Sequence, residues 1–150
     1  MAITQAMCSS FKTEILSGGH NFNTTNRALS LNTQDTFNIA LYTSSATLGA
    51  ATTVYATTNE VSGTNYSAGG QALAIAQVPT LAGTTATIDF TDEVFSNVTI
   101  TARGALIYNA SVSNTAVCVL DFGSDKSASA GDFTIQFPAV GATTSIIRIA

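Results

Sequence analysis

Between Phe37 and Tyr42 the chain switches to a period of two, with Phe37, Ile39 and Leu41 alternating with Asn38, Ala40 and Tyr42. That alternation predicts a strand with one strongly apolar face, because successive side chains of extended backbone point to opposite sides. Further strand patterns follow at 71–77, 85–90, 97–102, 105–109, 116–122, 133–137 and 145–149. Short segments of Gly, Ser, Asn or Asp separate most of them, and Arg103-Gly104 and residues 111–114 read as hairpin turns. No helical stretch lies between these strands to carry a crossover. The expected fold is therefore all-β, an antiparallel sandwich of jelly-roll type with about eight strands.

The start of the chain has another period. Ile3, Met7, Phe11 and Ile15 fall four apart, one stripe of an amphipathic helix over 1–17, with Gly18-Gly19 as its stop. A helix this short cannot hold itself together in water, so its apolar stripe must dock on this domain's own core or on a neighbouring subunit. Residues 20–35 carry several Asn and no periodicity and read as a loop. The stretch 43–70, rich in Ala, Thr, Ser and Gly, is the one long connection within the expected sandwich of 36–150. Connections of that length are commonly functional or ordered by a partner. Tyr66, between Gly63 and Gly69-Gly70, offers it an anchor with an apolar body and a polar tip.

Composition narrows the function. Only 14 of 150 residues are Lys, Arg, Asp or Glu, whereas 39 are Thr or Ser. An ordinary soluble domain has about a quarter of its residues charged. The net charge of −4, with five scattered cations, provides no basic stripe for a phosphate backbone, so no nucleic-acid partner is expected. No apolar run reaches the length of a membrane helix, and no membrane partner is expected. Cys8 and Cys118 read as two buried free thiols.

Candidate chemistry is sparse. His20 is the one histidine, and no Gly-x-Ser-x-Gly elbow accompanies it. Asp89, Asp92 and Glu93 cluster at a strand end, and Asp121, Asp125 and Asp132 bracket a Gly-Ser-Asp-Lys loop; either set could offer oxygens to Ca²⁺, but neither has EF-hand spacing. Acids in such places are ordinarily turn formers. The expectation is a single non-enzymatic domain without a cofactor or metal. Ile3, Met7 and Phe11 would be docking anchors, Tyr66 would anchor the long loop, and Arg103 would be placed for an inter-subunit ion pair. A carbohydrate-binding module, with Tyr42, Tyr55, Tyr66 and Tyr108 as sugar platforms, is the alternative from another class.

The order of segments carries a resemblance. Met1-Ala2-Ile3-Thr4-Gln5-Ala6-Met7-Cys8 leads into Phe11-Lys12, followed by Ile39-Ala40-Leu41-Tyr42-Thr43-Ser44 and by Asn59-Glu60-Val61-Ser62-Gly63 with Tyr66-Ser67-Ala68-Gly69-Gly70. Ile100-Thr101-Ala102-Arg103-Gly104-Ala105-Leu106-Ile107-Tyr108-Asn109, Val119-Leu120-Asp121-Phe122-Gly123-Ser124-Asp125-Lys126, Gly131-Asp132-Phe133-Thr134 and Ile146-Ile147-Arg148-Ile149-Ala150 complete it. This resembles a family of small structural proteins of tailed bacteriophages. The resemblance implies a virion component made in the host cytoplasm, with the major capsid protein or other virion proteins as partners and a homo-oligomeric state. Within it, a capsid decoration (cement) protein is the first expectation and a tail, neck or fibre-base component the second.

Overall fold

The computed structural model describes residues 2–23 and 33–150. In chain order the elements are β1 (Ala6–Met7), α1 (Ser9–Leu16), β2 (Phe37–Tyr42), β3 (Gln71–Leu73), β4 (Ile75–Ala82), β5 (Thr85–Phe90), β6 (Glu93–Asn109), β7 (Thr115–Ile135) and β8 (Ile147–Ile149). They build a five-stranded sheet in the order β1-β7-β6-β2-β3 and a three-stranded sheet in the order β4-β5-β8. Every strand pairing is antiparallel. The fold is the expected all-β sandwich with one short helix.

The two sheets exchange the chain at one corner. Ala74 alone separates β3 from β4, and its carbonyl accepts the Thr91 N–H at 2.8 Å where the chain turns back from β5 toward β6. The expected strand 71–77 is thus two strands in different sheets. Phe90 beside this corner joins the layers, with its ring 6.0 Å from Phe37 of β2 and 5.9 Å from Phe137. A tight turn at Gly83-Thr84 closes β4 onto β5, with Gly83 at φ 65, as a hairpin with glycine at its first central position requires.

β6 and β7 dominate the larger sheet as one long hairpin, and here the strand boundaries differ from expectation. The expected turn at 111–114 is present, with Ser113 and Asn114 at positive φ. Arg103-Gly104 is not a turn: both lie inside β6, opposite β7. Gly104 instead permits close approach, because a Cβ there would run into the Leu120 carbonyl and the Ile3 side chain. Glycine serves both purposes, so the residue type alone did not discriminate. The expected Gly-Ser-Asp-Lys loop is likewise part of β7. Gly104 pairs with Asp121 and Ala102 with Lys126, so the intervening residues of β7 form a bulge, with Gly123 at φ 76.

At the start of the chain the helix spans Ser9–Leu16, not 1–17. Its end follows the expected pattern: Gly18 sits at φ 74, its N–H meets the Ile15 carbonyl at 3.2 Å, and the Gly19 N–H meets that of Glu14 at 2.7 Å. Ahead of it the backbone is extended. Thr4 N–H donates to Leu48 O at 2.9 Å, Leu48 N–H donates to Ala2 O at 3.2 Å, and Ala6 and Met7 pair with Val119 and Cys118. A separation of four residues is in phase with both the strand and the helix periods, so the Ile3–Met7 spacing was compatible with either. Sheet pairing prevails because it satisfies backbone groups that a lone first turn of helix would leave open.

β2 departs from expectation in being buried on both faces, Ala40 and Tyr42 as fully as Ile39 and Leu41. The covering layer is the 43–70 connection, pinned by isolated bridges from Glu60 to Tyr42, Thr64 to Thr99 and Val54 to Thr115. Of the expected 20–35 loop, residues 24–32 lie outside the described residues.

Gly70 marks how closely this layer sits. At φ 70, it has a Cα hydrogen directed where a Cβ would meet the Ile39 carbonyl of β2. Gly70→Ala is expected to cost about 2–3 kcal/mol, combining backbone strain with overpacking. Gly83→Ala, at a similar φ of 65 but with open space, should cost about 1 kcal/mol. Urea unfolding followed by circular dichroism separates the two.

Candidate functional site

The most heavily bonded side chain of the 43–70 layer is Glu60. Its Oε2 accepts the Tyr55 hydroxyl at 2.6 Å, and its Oε1 accepts the Tyr66 hydroxyl at 2.8 Å and the Gly69 N–H at 2.7 Å. Tyr66 is bound at both ends of its hydroxyl, since its oxygen accepts the Leu41 N–H of β2 at 2.8 Å while its proton goes to Glu60. Tyr108 of β6 donates to the Gly69 carbonyl at 2.8 Å and receives the Asn38 amide at 3.3 Å, and Tyr42 donates to the Ala56 carbonyl at 2.6 Å. Tyr55 stacks on Tyr108 with ring centroids 4.6 Å apart.

All four tyrosines of the chain therefore serve this one cluster. Burial, reinforced by the Glu60 charge, pushes the Tyr42, Tyr55 and Tyr66 phenols well above the ordinary range, and burial raises Tyr108. They remain hydrogen-bond donors throughout the neutral range. With their hydroxyls committed to this chain, they do not form the exposed stacking surface that a sugar platform needs.

The residues expected to make outside contacts are engaged within the chain. Ile3 is buried, bridges to Leu48 and abuts Gly104. Met7 is half-buried in β1 opposite Cys118. Phe11 is fully buried in the chain's own core, 4.8 Å from the His20 ring and edge-on to Phe22 at 6.1 Å. Tyr66 does anchor the long connection, to its own sheet. Arg103 pairs with Asp121 on the adjacent strand at 3.1 Å, and that carboxylate also accepts the Gly123 N–H at 2.9 Å. The Gly123 N–H and the Arg103 guanidinium hold the Asp121 carboxyl below its ordinary range.

His20 forms a second polar cluster. Its Nε2 lies 2.7 Å from Glu14 and its Nδ1 lies 3.0 Å from the Asn109 amide nitrogen, which also donates to Asp35 at 2.8 Å. Asn109 Oδ1 accepts the Ser111 N–H at 3.0 Å, so the amide nitrogen faces the ring. Neutral His20 therefore carries its proton on Nε2, toward Glu14. The cluster ties α1, β6 and the approach to β2 together behind a wall of Phe11, Phe22 and Phe37.

Asp92 and Asp132 work as backbone caps, as Asp121 does. Asp92 accepts the Phe137 N–H at 2.8 Å and Asp132 accepts the Asn97 N–H at 3.0 Å. Burial raises the Asp89 and Glu93 carboxyls, with Asp92 adding to the effect on Asp89. Among the described residues, no group of three His, Cys, Asp or Glu is arranged to hold a metal. Both cysteines are buried free thiols; burial and the Glu14 charge push Cys8 up to about 11, and burial raises Cys118 further.

Sequence reasoning missed Glu60, whose importance depends on tyrosines from several segments. Glu60→Gln replaces one acceptor oxygen with a donor facing a phenol or the Gly69 N–H, and is expected to cost about 2–3 kcal/mol, more than Tyr55→Phe at about 1 kcal/mol. The buried thiol and phenols also fix an alkaline limit. Because Cys8 titrates higher folded than unfolded, its contribution is complete below about pH 9 and is lost as pH rises through about 11. Urea midpoints should fall across that interval, and Cys8→Ala should blunt the first part of the fall. No family model, curated protein or solved structure matches the chain.

Proposed function

We propose that this chain is a non-enzymatic structural protein of a bacteriophage virion, a capsid decoration protein bound in many copies to the major capsid shell. The observation that carries the reading is the ordered run of segments, from Met1-Ala2-Ile3-Thr4-Gln5 to Ile146-Ile147-Arg148-Ile149-Ala150, which resembles small phage structural proteins along nearly the whole chain.

Two properties of the fold support it. The 43–70 layer and the N-terminal segment are fixed to the chain's own sheets, so the unit needs little ordering when it binds, and little conformational entropy opposes docking. The exposed residues of the β6–β7 hairpin include Ser96, Thr99, Thr101, Ser124, Ser127 and Ser129, with Asp125, Lys126 and Asp132 as charged neighbours. Hydroxyls pack against a partner without the desolvation that buried ions incur, and interface centres are depleted of charge for that reason. A decoration protein that binds only the assembled shell stabilises it by mass action, by about 4 kcal/mol per site at a thousandfold excess over Kd.

Purified protein mixed with undecorated capsids, and separately with tails, tests the reading. Copies counted by quantitative gel or cryo-electron microscopy should scale with the number of shell subunits. A few copies confined to the tail or neck would replace decoration with the tail-component reading, and binding to neither would remove the virion assignment.

A further inference from the structure

We infer that the outer edge of β7 is a docking site for an extended, largely apolar peptide segment of a partner protein, one that carries a carboxylate at the end facing Arg148. β7 has β6 on one side; on the other, β1 pairs only with Cys118 and Val119, and among the described residues no strand pairs with that edge further along. Two adjoining clefts, of about 570 Å³ and about 280 Å³, lie along it and share Gln5, Leu120 and Ile146 in their walls.

The lining pattern identifies what the larger cleft presents. Every residue over 132–138 contributes to it. Neighbouring side chains of a strand point to opposite faces, so a cleft that meets all of them looks at the strand's edge, where backbone N–H and C=O groups project. The bulge after Asp121 bends β7 so that its two halves face the same space, with Phe122 and Phe133 6.1 Å apart. Leu120, Phe122, Phe133, Ile135, Phe137 and Ile146 give the cleft its apolar walls, and Asp121, Lys126 and Asp132 are the charged residues of its lining. Backbone hydrogen-bonding groups above such walls select an extended chain with apolar side chains at alternate positions. The N-terminal segment shows the mode in miniature, since β1 is a two-residue strand added antiparallel to this same edge.

Charge sets the other requirement. Among the described residues Arg148 is the one charged residue lining the smaller cleft, and its guanidinium bonds the Ser145 carbonyl at 3.2 Å. The ion pairs among the described residues are His20 with Glu14 and Arg103 with Asp121, so Arg148 has no carboxylate partner among them. Asp121 and Asp132 line the larger cleft and not the smaller one, so an acidic group on the occupant is favoured at the Arg148 end.

The test uses the isolated full chain and is independent of any phage particle, so its outcome does not depend on the virion reading. The probe is a short synthetic peptide of alternating valine and threonine ending in glutamate, with a second in which proline replaces alternate residues and a third ending in lysine. Affinity is read by fluorescence anisotropy and backbone protection by amide hydrogen exchange. Expected are binding of the first peptide, protection of amides over 120–122 and 132–136, loss of binding for the proline peptide, and about tenfold weakening for the lysine peptide and for Arg148→Glu. Arg148→Ala, which leaves no repulsive charge, should bind both charged peptides alike. Absence of binding by the first peptide, or equal binding by the proline peptide, overturns the inference. So does protection of the edge in concentrated protein without peptide, which would assign it to a second copy, or displacement of the first peptide by neutral oligosaccharides.

Discussion

A single carboxylate holds the outer layer of this sandwich in place. Glu60 gathers the hydroxyls of Tyr55 and Tyr66 and the Gly69 N–H, and Tyr66 passes that constraint to the Leu41 N–H of β2. Of its hydrophobic residues, Ala46 and Val61 are buried, and Leu48, Tyr55 and Tyr66 pack partly buried against the core. Its position is specified by polar bonds shielded from water. Such bonds are strong when complete and costly when half made. The second face of β2, the approach of Gly70 to Ile39 and the orientation of Tyr108 all depend on their completion.

The same division of labour appears next to it in the sheet, where Phe37 pairs with Asn109 beside the Asn38–Tyr108 pair. His20, Asn109, Asp35 and Glu14 link segments distant in sequence, while Phe11, Phe22 and Phe37 close over them. In a chain with so few charges, most of the described ionisable side chains with resolved partners are used to fix backbone or to join segments. The hydroxyl-rich exterior is left without a strong electrostatic preference, a condition suited to broad, neutral contact.

Much of the architecture was legible in the sequence wherever one period ruled. Phe37–Tyr42 and Thr85–Phe90 alternate cleanly and are strands with those bounds. Residues 111–114 turn as their composition indicates, and Gly18-Gly19 stops the helix. The failures share a cause, namely residue types that serve two geometries. Gly104 and Gly123 suggested turns and instead permit close approach and a bulge inside long strands. Ile3 and Met7 fit a helical stripe and a strand equally. At the candidate site, Tyr66 was identifiable as an anchor from its glycine-flanked setting, but its acceptor was not. The partnership with Glu60 depends on how 43–70 folds back over β2, which no local pattern encodes.

The pairing of β1 with β7 has a consequence for how the chain is made. The segment that completes one edge of the larger sheet is synthesised more than a hundred residues before the strand it needs, since Ala6 pairs with Val119. Until β7 emerges, the apolar face of α1, with Phe11 at its centre, has no sheet to cover it. The long β6–β7 hairpin closes through a local turn and can form quickly, whereas the two chain ends must be recruited across large loops. Completion of the larger sheet therefore waits for β7, and until then the β1–α1 segment is what a chaperone or a premature neighbour would meet.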